Sequence, residues 1–222
     1  MSLQEKAWWA QCIASNRYRY NFGRQANRTL ASLELPDGVP EWVRSAPVPT
    51  FKGKNSAQPL VLDTRLWREF RIGDLFELRR GRNVVKREMS PGSTAFVSAS
   101  SADNGITAWI NLAPDFTGGQ ITINSNGSVG EAFYQPYPFI ASGDVTVLLP
   151  NRPMSPAAAL FFCTLARADK YRWNYGRKWG LTKIRESVVK LPTTPTGNPD
   201  WDFAERYIRS LPLAAAALDL PD

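Results

Sequence analysis

The chain has 222 residues, 43% of them hydrophobic, which is enough to bury one substantial core and excludes a disordered polypeptide. Its formal net charge of +7 and its pI near 9.6 indicate an anionic partner, and nucleic acid is the commonest soluble one. Cys12 and Cys163 lie far apart in apolar segments and are too few for a disulfide scaffold. No apolar run approaches the roughly 18 residues that span a bilayer, and no secretion signal is visible, so we expect a cytoplasmic protein without a membrane partner.

The first 58 residues are predicted to form a helix, a basic aromatic segment and a linker. Apolar residues recur at helical spacing over residues 3–15, and a mixture of arginines and aromatics follows at residues 17–24. Residues 35–59 are rich in Pro, Gly, Ser and Lys, a composition typical of an extended linker. We therefore predict a domain boundary between residues 58 and 59.

The central part of the chain, residues 59–199, is predicted to be rich in β-strands, because short apolar runs are separated by Gly, Asn and Pro. The predicted strands cover residues 67–72, 76–79, 95–99, 106–110, 120–124, 131–134 and 145–149. A helix is predicted over residues 156–168, with Pro156 at its start, where a missing N–H costs nothing. A last helix, from residue 202 to about residue 211, belongs to a short C-terminal segment at residues 200–222. The expected fold class is α+β.

Basic residues are concentrated in two blocks of the sequence. Residues 65–87 contain eight basic and three acidic residues, and a second basic block covers residues 167–190. Between these blocks, residues 88–150 contain neither Lys nor Arg. Such a distribution predicts local electropositive surfaces.

The basic aromatic segment at residues 17–24 is repeated at residues 170–177. The first copy reads Arg-Tyr-Arg-Tyr-Asn-Phe-Gly-Arg and the second reads Lys-Tyr-Arg-Trp-Asn-Tyr-Gly-Arg. After each copy, Leu-Pro and then Pro, an acidic residue and Trp follow in the same order. Only the second copy has a strand-rich region before it, so the chain has the organisation of the end of one unit followed by one complete unit.

The sequence lacks the residues that common nucleic-acid enzymes need. It contains no histidine, which removes His-based nucleases, His metal sites and His general bases. No Glu is followed by Lys two residues later, as in the common metal-dependent nucleases, and the cofactor and target motifs of adenine methyltransferases are absent. The glycine-bearing stretch at residues 124–130 lacks the Gly-Lys-Ser/Thr of a phosphate loop and is predicted to be a turn. We therefore predict no catalytic residue, no metal ion and no cofactor.

Seven basic residues are the main candidates for contact with a DNA backbone. Five of them lie in a run that follows a predicted strand and contains Gly81, so we predict an exposed loop there. These five are Arg79, Arg80, Arg82, Lys86 and Arg87. The other two are Arg177, which ends the second basic aromatic segment and matches Arg24 of the first, and Lys178, one place further on. Their charged groups suit phosphates, although a turn that packs a helix against a sheet would also explain the repeat.

Two polar loops are the candidates for reading base edges. Short amide and hydroxyl side chains can reach such edges, and asparagine pairs in a bidentate manner with adenine. The candidate residues are Ser100, Asn104, Asn126 and Ser128. The same residue types are common in turns for backbone reasons alone, which is the alternative for each of them.

Five segments occur in an order that resembles a known family. They are residues 67–81, 97–106, 121–134, 170–178 and 191–201. In this order they are similar to the specificity subunits of type I restriction-modification systems and to the recognition subunits of bifunctional type II enzymes. The resemblance implies a target-recognition domain that docks in the major groove, joined to helices that hold methyltransferase subunits. The chain departs from the family in lacking long spacer helices, which favours the type II-like relatives or a half-subunit that associates with itself or with a second recognition chain.

The leading hypothesis is a non-catalytic, sequence-specific double-stranded DNA-binding subunit that directs a partner adenine methyltransferase, or a methyltransferase with a restriction nuclease, to its site. Its expected architecture is a strand-rich target-recognition domain with packed helices, flanked by an N-terminal helical repeat half and a short C-terminal helix. A first alternative is a module for RNA or single strands, with aromatic side chains as stacking platforms. Those aromatic residues are Tyr18, Tyr20, Trp173 and Tyr175. A second alternative is a protein adaptor that does not bind DNA.

Overall fold

The computed structural model describes residues 1–16, 29–47 and 60–211. Contacts within the chain divide it into two compact units, Met1–Lys52 and Gly53–Asp222. The boundaries predicted between residues 58 and 59 and between residues 199 and 200 stay predictions.

Within residues 1–16 and 29–47, the N-terminal unit contains two α-helices, α1 (Leu3–Ala14) and α2 (Glu41–Arg44). Helix α1 begins with a reciprocal cap, in which Ser2 Oγ accepts a hydrogen bond from Glu5 N at 3.2 Å and Ser2 N donates to Glu5 Oε2 at 2.7 Å. This cap agrees with the helix that the apolar spacing predicts. The first basic aromatic segment, at residues 17–24, lies outside the described residues. The roles predicted for Arg24, Tyr18 and Tyr20 therefore stay predictions.

The C-terminal unit contains nine strands and four α-helices within residues 60–211. In chain order these are β1 (Arg68–Arg71), α3 (Ile72–Leu75), β2 (Phe76–Arg80), β3 (Pro91–Val97), β4 (Ile106–Ile110), β5 (Gln120–Asn124), β6 (Ala132–Gln135), β7 (Phe139–Ala141), β8 (Val145–Pro150), α4 (Pro156–Ala168), α5 (Leu181–Glu186), β9 (Val188–Leu191) and α6 (Trp201–Ser210). This mixture of strands and packed helices confirms the α+β class.

The strands of this unit form three sheets. The largest has the order β2-β8-β5-β6, with antiparallel neighbours throughout. The second has the order β4-β3-β7, in which β3 runs antiparallel to β4 and parallel to β7. The third is the antiparallel pair of β1 and β9. Residues 142–144 connect β7 of the second sheet to β8 of the first.

The main core lies between helix α4 and the four-stranded sheet. Ser155 caps α4, because its Oγ accepts a hydrogen bond from Ala158 N at 3.2 Å, and Pro156 is the first helical residue. Phe162 of α4 is fully buried and packs on Phe76 of β2, with ring centroids 4.7 Å apart. Burial of one such side chain contributes about 1.5–3 kcal/mol to folding.

Helix α6 and strand β9 cover a different face of α4. Ala158 and Phe161 of α4 form a buried cluster with Leu191 of β9 and Ala204 of α6. Asp200 caps α6 through a side-chain hydrogen bond, and the helix begins one residue earlier than predicted. The C-terminal helix is thus part of the packed C-terminal unit.

The connections at one end of the four-stranded sheet lie close together. β2 ends at Arg80 and β5 ends at Asn124, and both pair there with the beginning of β8. In the second sheet β3 ends at Val97, whose carbonyl oxygen accepts a hydrogen bond from Ser142 N at 2.8 Å. We call this region the loop end. It consists of Arg80 and residues 98–105, 125–131 and 142–144.

The predicted and observed elements agree best where the local pattern is long or strongly alternating. Strands β4 and β5 and helix α4 have the predicted bounds. The strand predicted over residues 67–72 is shorter, because Ile72 already begins helix α3. Strands β7 and β9 and helix α5 are not predicted, because each is short and depends on packing against distant parts of the chain.

Candidate DNA interface

The loop end borders a pocket of about 170 Å³ whose lining residues are mostly of polar or charged types, and we call it the polar pocket. Arg80, Asn126 and Lys178, three of the residues that the sequence predicts to contact DNA, line this pocket together. Its other lining residues are Ser125, Gly143, Asp144, Thr146, Gly180 and Leu181. The fold thus brings the end of β2, the β5–β6 connection and the residue that follows the second basic aromatic segment to one place.

The amide of Asn126 is oriented by a carboxylate and keeps one unused acceptor. Its Nδ2 donates to Asp144 Oδ1 at 3.2 Å, which fixes which end of the amide carries the oxygen. Asn126 Oδ1 is buried and has no hydrogen-bond donor among the described residues. Arg80 is held nearby, because its Nε donates to Gly143 O at 2.7 Å. The pocket therefore combines cationic groups with a carbonyl oxygen that lacks a donor.

The two polar loops predicted to read bases pack directly on each other. Asn124 Nδ2 donates to Ser100 O at 2.9 Å, and Ser128 N donates to Ala99 O at 3.4 Å. The hydroxyl of Ser100 accepts a hydrogen bond from Ala102 N at 3.1 Å. Ser100 and Ser128 are half-buried. The structure therefore brings the candidate serines onto one surface.

The side chain of Asn104 is used within the fold. Its Nδ2 donates to Tyr134 O at 2.8 Å and to Gln135 Oε1 at 3.3 Å, while Gln135 Nε2 donates back to Asn104 O at 2.9 Å. Asp103, Asn104 and Gly105 have consecutive positive φ angles of 51°, 54° and 79°. These contacts hold an otherwise strained turn against β6. The side chain of Asn104 therefore has no free amide donor for the base contact that the sequence predicts.

The second basic aromatic segment forms a tight turn on an aromatic support. Arg177 N donates to Asn174 Oδ1 at 2.9 Å, and Asn174 N donates to Arg177 O at 3.2 Å. The ring of Trp173 stacks on the buried ring of Trp179, with centroids 5.4 Å apart and an interplanar angle of 9°. The guanidinium of Arg177 lies 5.3 Å from the Trp173 centroid and stays exposed. The aromatic residues therefore hold the turn and leave its terminal cation at the surface.

Glu131, just before β6, anchors the beginning of this segment. Its Oε2 accepts a hydrogen bond from Arg167 Nε at 2.9 Å and its Oε1 accepts one from Lys170 Nζ at 2.8 Å. The Glu131 side chain is only 11% exposed. Burial raises the pKa of Glu131, but the hydrogen bonds from Lys170 and Arg167 together outweigh it, so the pKa lies below its ordinary value. The ionised carboxylate fixes both basic side chains at neutral pH.

Two of the predicted cations already have carboxylate partners. Arg79 Nε lies 2.7 Å from Glu77 Oε1, and Arg82 Nε lies 2.8 Å from Asp115 Oδ2. Arg79 belongs to β2, as does Arg80. The strand predicted over residues 76–79 continues to Arg80, whose backbone pairs with β8, so the prediction of a loop is wrong at Arg80.

Lys86 and Arg87 lie in a short 3-10 turn beside the second sheet. The flanking residues Val84 and Met89 pack against the cluster of buried residues on that sheet. Both basic side chains are exposed. Within residues 60–211, no hydrogen bond or ion pair joins either of them to the polar pocket.

Three residues of the site are not predicted from the sequence. Asp144 and Glu131 are acidic residues between the two basic blocks, and only the partners that the fold gives them reveal their role. Trp179 lies two residues after the basic aromatic segment, and a large apolar ring at that position, next to a repeated turn, is the sequence signal that could have identified it.

No set of three or more His, Cys, Asp or Glu side chains in the described ranges could hold a metal ion. None of the helices within those ranges is long and apolar enough to cross a membrane. Cys163 is fully buried in α4, and burial raises the pKa of its thiol to about 12.

The chain is similar to curated specificity subunits of restriction enzymes. It is 35% identical over 144 residues to the specificity subunit S.BcgI of a type II restriction enzyme from Heyndrickxia coagulans, a match that covers 64% of this chain and 42% of that protein. It is 37% identical over 128 residues to a putative type I specificity subunit from Mycoplasma pneumoniae, which covers 57% of this chain and 53% of that protein. The chain thus spans about half the length of the curated relatives it matches.

Solved structures with the same fold come from type I systems. The S subunit of the system from M. genitalium superposes with a TM-score of 0.57 at 19% identity, over 97% of this chain and 51% of that chain. A second chain, from a study of the assembly and conformational transition of the type I system, gives a TM-score of 0.51 at 14% identity, over 96% of this chain and 51% of that one. At these identities the likeness shows the fold.

The family match covers most of the C-terminal unit. Residues 64–216 match the family described as type I restriction modification DNA specificity domain. This is a family of recognition domains, in agreement with the prediction of a chain without its own catalytic site. The chain therefore belongs to the type I restriction-modification DNA specificity domain family.

Proposed function

We propose that the chain binds double-stranded DNA through its loop end and reads part of a target sequence there. The observation that carries this location is the convergence of Arg80, Asn126 and Lys178 on one polar pocket. Cationic side chains contact phosphates and amides read base edges, so this set suits a groove of duplex DNA. Family membership supports DNA recognition as the general activity.

The acceptors of the pocket suit a base that presents an amino group. Asn126 Oδ1 lacks a donor among the described residues, and Asp144 is exposed beside it. In the major groove, adenine N6 and cytosine N4 donate hydrogen bonds, and one good contact discriminates between bases by about 1–3 kcal/mol. Because Asn126 Oδ1 is buried in the free chain, its use by a base requires the side chain to rotate outward. Ser100 and Ser128 add hydroxyl groups to the same surface.

Exposed cations provide affinity and set the register on the duplex. Arg80 belongs to the loop end, Lys178 lines the polar pocket and Arg177 precedes it in the chain, whereas Lys86 and Arg87 are exposed beside the second sheet. Within the described residues none of the five forms an ion pair with a carboxylate. Five phosphate contacts predict a slope of roughly −4 to −5 for the logarithm of affinity against the logarithm of salt concentration.

The proposal includes a partner enzyme. The relatives are specificity subunits of type I and type II restriction enzymes, and this chain spans about half of their length. We assign to the strand-rich unit the binding of one part of a DNA target and the placement of a separate adenine methyltransferase, with or without a nuclease, on that target. Its restriction-modification role and a cytoplasmic location belong to the same proposal. Association with itself or with a second recognition chain would complete a two-part target.

An RNA or single-strand module is the competing function, and one observation favours it. Tyr171 and Tyr175 are 81% and 78% exposed, as stacking platforms for unpaired bases would be. Trp173, named as such a platform from the sequence, is instead stacked on Trp179. Competition between duplex DNA, single-stranded DNA and RNA separates the two functions.

The experiment compares two double variants that each lose two positive charges. Arg80→Gln with Lys178→Gln removes cations of the polar pocket, whereas Arg152→Gln with Arg206→Gln removes exposed cations elsewhere. Arg152 follows the opposite end of β8. Fluorescence anisotropy of labelled duplex over a salt series should show weaker binding and a shallower slope, by about two units, for the first variant only. Equal effects of the two variants, or a preference of the wild type for single strands, would contradict the proposal.

A further inference from the structure

A second cavity, of about 370 Å³, lies next to the turn of the basic aromatic segment. Three cationic groups surround the ring of Trp173 there. Their distances to its centroid are 5.8 Å for the Arg172 guanidinium, 5.3 Å for that of Arg177 and 5.8 Å for the Lys183 ammonium. All three side chains also line the cavity, with Trp173, Glu186, Ser187 and Val188. We call this cavity the Trp173 groove.

The Trp173 groove has more positive charge and more donors than its own residues neutralise. Arg172 is paired with Asp169 at 2.8 Å. No carboxylate among the described residues forms an ion pair with Arg177 or Lys183, although Glu186 lies at the edge of the groove. Trp173 Nε1 also lacks an acceptor within the described part of the chain. Three cations around one ring repel one another, and an anion bound among them would relieve that repulsion.

The groove is held in shape by its apolar support. Trp173 stacks on Trp179, whose Nε1 donates to Ser187 Oγ at 2.9 Å. Ser187 Oγ in turn donates to Lys183 O at 2.7 Å, which ties the turn to the end of α5. The aromatic stack and α5 therefore hold the backbones that carry Arg177 and Lys183 at one cavity before any ligand binds. Such preorganisation reduces the entropy cost of binding.

We infer that the Trp173 groove binds one phosphodiester of the DNA backbone between Arg177 and Lys183, with Arg172 as a third cation. This inference rests on the proposed function, since it names the place where the strand is held while the polar pocket reads bases. Arg177 lines the groove and the next residue, Lys178, lines the polar pocket. Consecutive residues therefore link a backbone contact to a base-reading site. A phosphodiester oxygen accepts charge-assisted hydrogen bonds from guanidinium and ammonium groups.

The test combines duplexes that each lack the charge of one phosphate with protein variants that lack the charge of one side chain. First, a duplex with the selected target is prepared with a neutral methylphosphonate at one backbone position at a time. The wild-type chain should lose affinity by about tenfold at the position that the groove contacts, as expected for loss of a strong charge-assisted contact. Lys183→Gln should bind the unmodified duplex less tightly and show a smaller further loss at that same position, because Arg177 and Arg172 remain. Lys183→Arg, which keeps the charge, should restore the wild-type profile.

The controls separate the inference from the proposed function. Arg206→Gln, which also removes one exposed charge, should leave every position of the wild-type profile unchanged. The Tm of Lys183→Gln should be no lower than that of the wild type, because the substitution relieves repulsion between cations at an exposed site. If the wild type binds no duplex, the proposed function fails and this inference with it. If it binds and Lys183→Gln keeps the full profile, the groove does not hold a phosphate while DNA binding stands.

Discussion

Substitution of Glu131 by Gln tests how the basic segment is anchored. The Glu131 carboxylate accepts hydrogen bonds from Arg167 and Lys170, 36 and 39 residues further along the chain. Glutamine has nearly the same shape but carries no charge and turns one acceptor into a donor that faces a cation. The variant therefore leaves two basic side chains without their counter-charge while the volume of the site stays constant.

The expected loss of stability follows from the burial of the three groups. A hydrogen bond to a charged group contributes about 1.5–3 kcal/mol when it is well shielded. Arg167 and Lys170 are 43% and 52% exposed, so solvent screens both pairs and reduces that figure. We expect the free energy of unfolding to fall by about 2 kcal/mol, or about 4–8 °C in Tm for a unit of this size.

The loss should depend on pH in one direction. The pKa of Glu131 is lowered in the folded chain from its ordinary value of 4.5. A lowered pKa stabilises the fold fully above the unfolded value, and this contribution is lost as the pH falls through the folded pKa. The difference in stability between wild type and Glu131→Gln should therefore be constant near neutral pH and shrink below about pH 4.5.

The assay is urea unfolding followed by tryptophan fluorescence at several pH values. Glu77→Gln is the matched control, because Glu77 and its partner Arg79 are 57% and 56% exposed. An exposed pair of this kind contributes about 0–1 kcal/mol, so the control should change little. Equal losses for Glu131→Gln and Glu77→Gln, or a difference that persists unchanged at the lowest pH, would refute the anchoring role.

Three other predictions concern the loops and the core. Gly130→Ala should lower the free energy of unfolding in urea by about 1–3 kcal/mol, because Gly130 has a φ of +83° and an added Cβ would lie 2.7 Å from Lys170 Cβ. Asn104→Ala should cost about 1–2 kcal/mol and speed amide hydrogen exchange in residues 98–105, since the amide contacts to Tyr134 and Gln135 disappear; unchanged exchange would contradict this. Cys163 should react with a thiol reagent at pH 8 only after unfolding, because burial raises its pKa to about 12; rapid reaction in the native state would show that α4 is packed differently.

The sequence predicts elements whose own pattern identifies them. Strands β4 and β5 alternate or run apolar between turn residues, and α4 carries both a cap and Pro156, so their bounds agree with the structure. Strand β7 has three residues and exists because it pairs in parallel with β3, about 44 residues away. Such a pairing is a property of the tertiary fold, which a local pattern does not contain.

In the site, too, some features follow from the sequence and others depend on the tertiary fold. Residue types alone predict Arg80, Asn126 and Lys178 as candidates, and the fold then brings them into one pocket. Asn104 belongs to the same residue class, yet its partners on β6 use its amide donors. Lys183 is part of a basic block in the sequence, and only its position beside Trp173 distinguishes it from other exposed cations. The sequence thus predicts which side chains have suitable chemistry, whereas the exposure and the neighbours of each side chain depend on tertiary contacts.

The most direct measurement is a binding selection from random duplex DNA at about 150 mM salt, near physiological ionic strength. It is performed with the wild-type chain and with Asn126→Ala, each alone and with the neighbouring methyltransferase. The account predicts that the wild type enriches one short sequence and that Asn126→Ala loses the preference at one adenine or cytosine position while the rest of the sequence is retained. Absence of enrichment in both conditions, or the same complete sequence from both chains, would contradict recognition through the loop end.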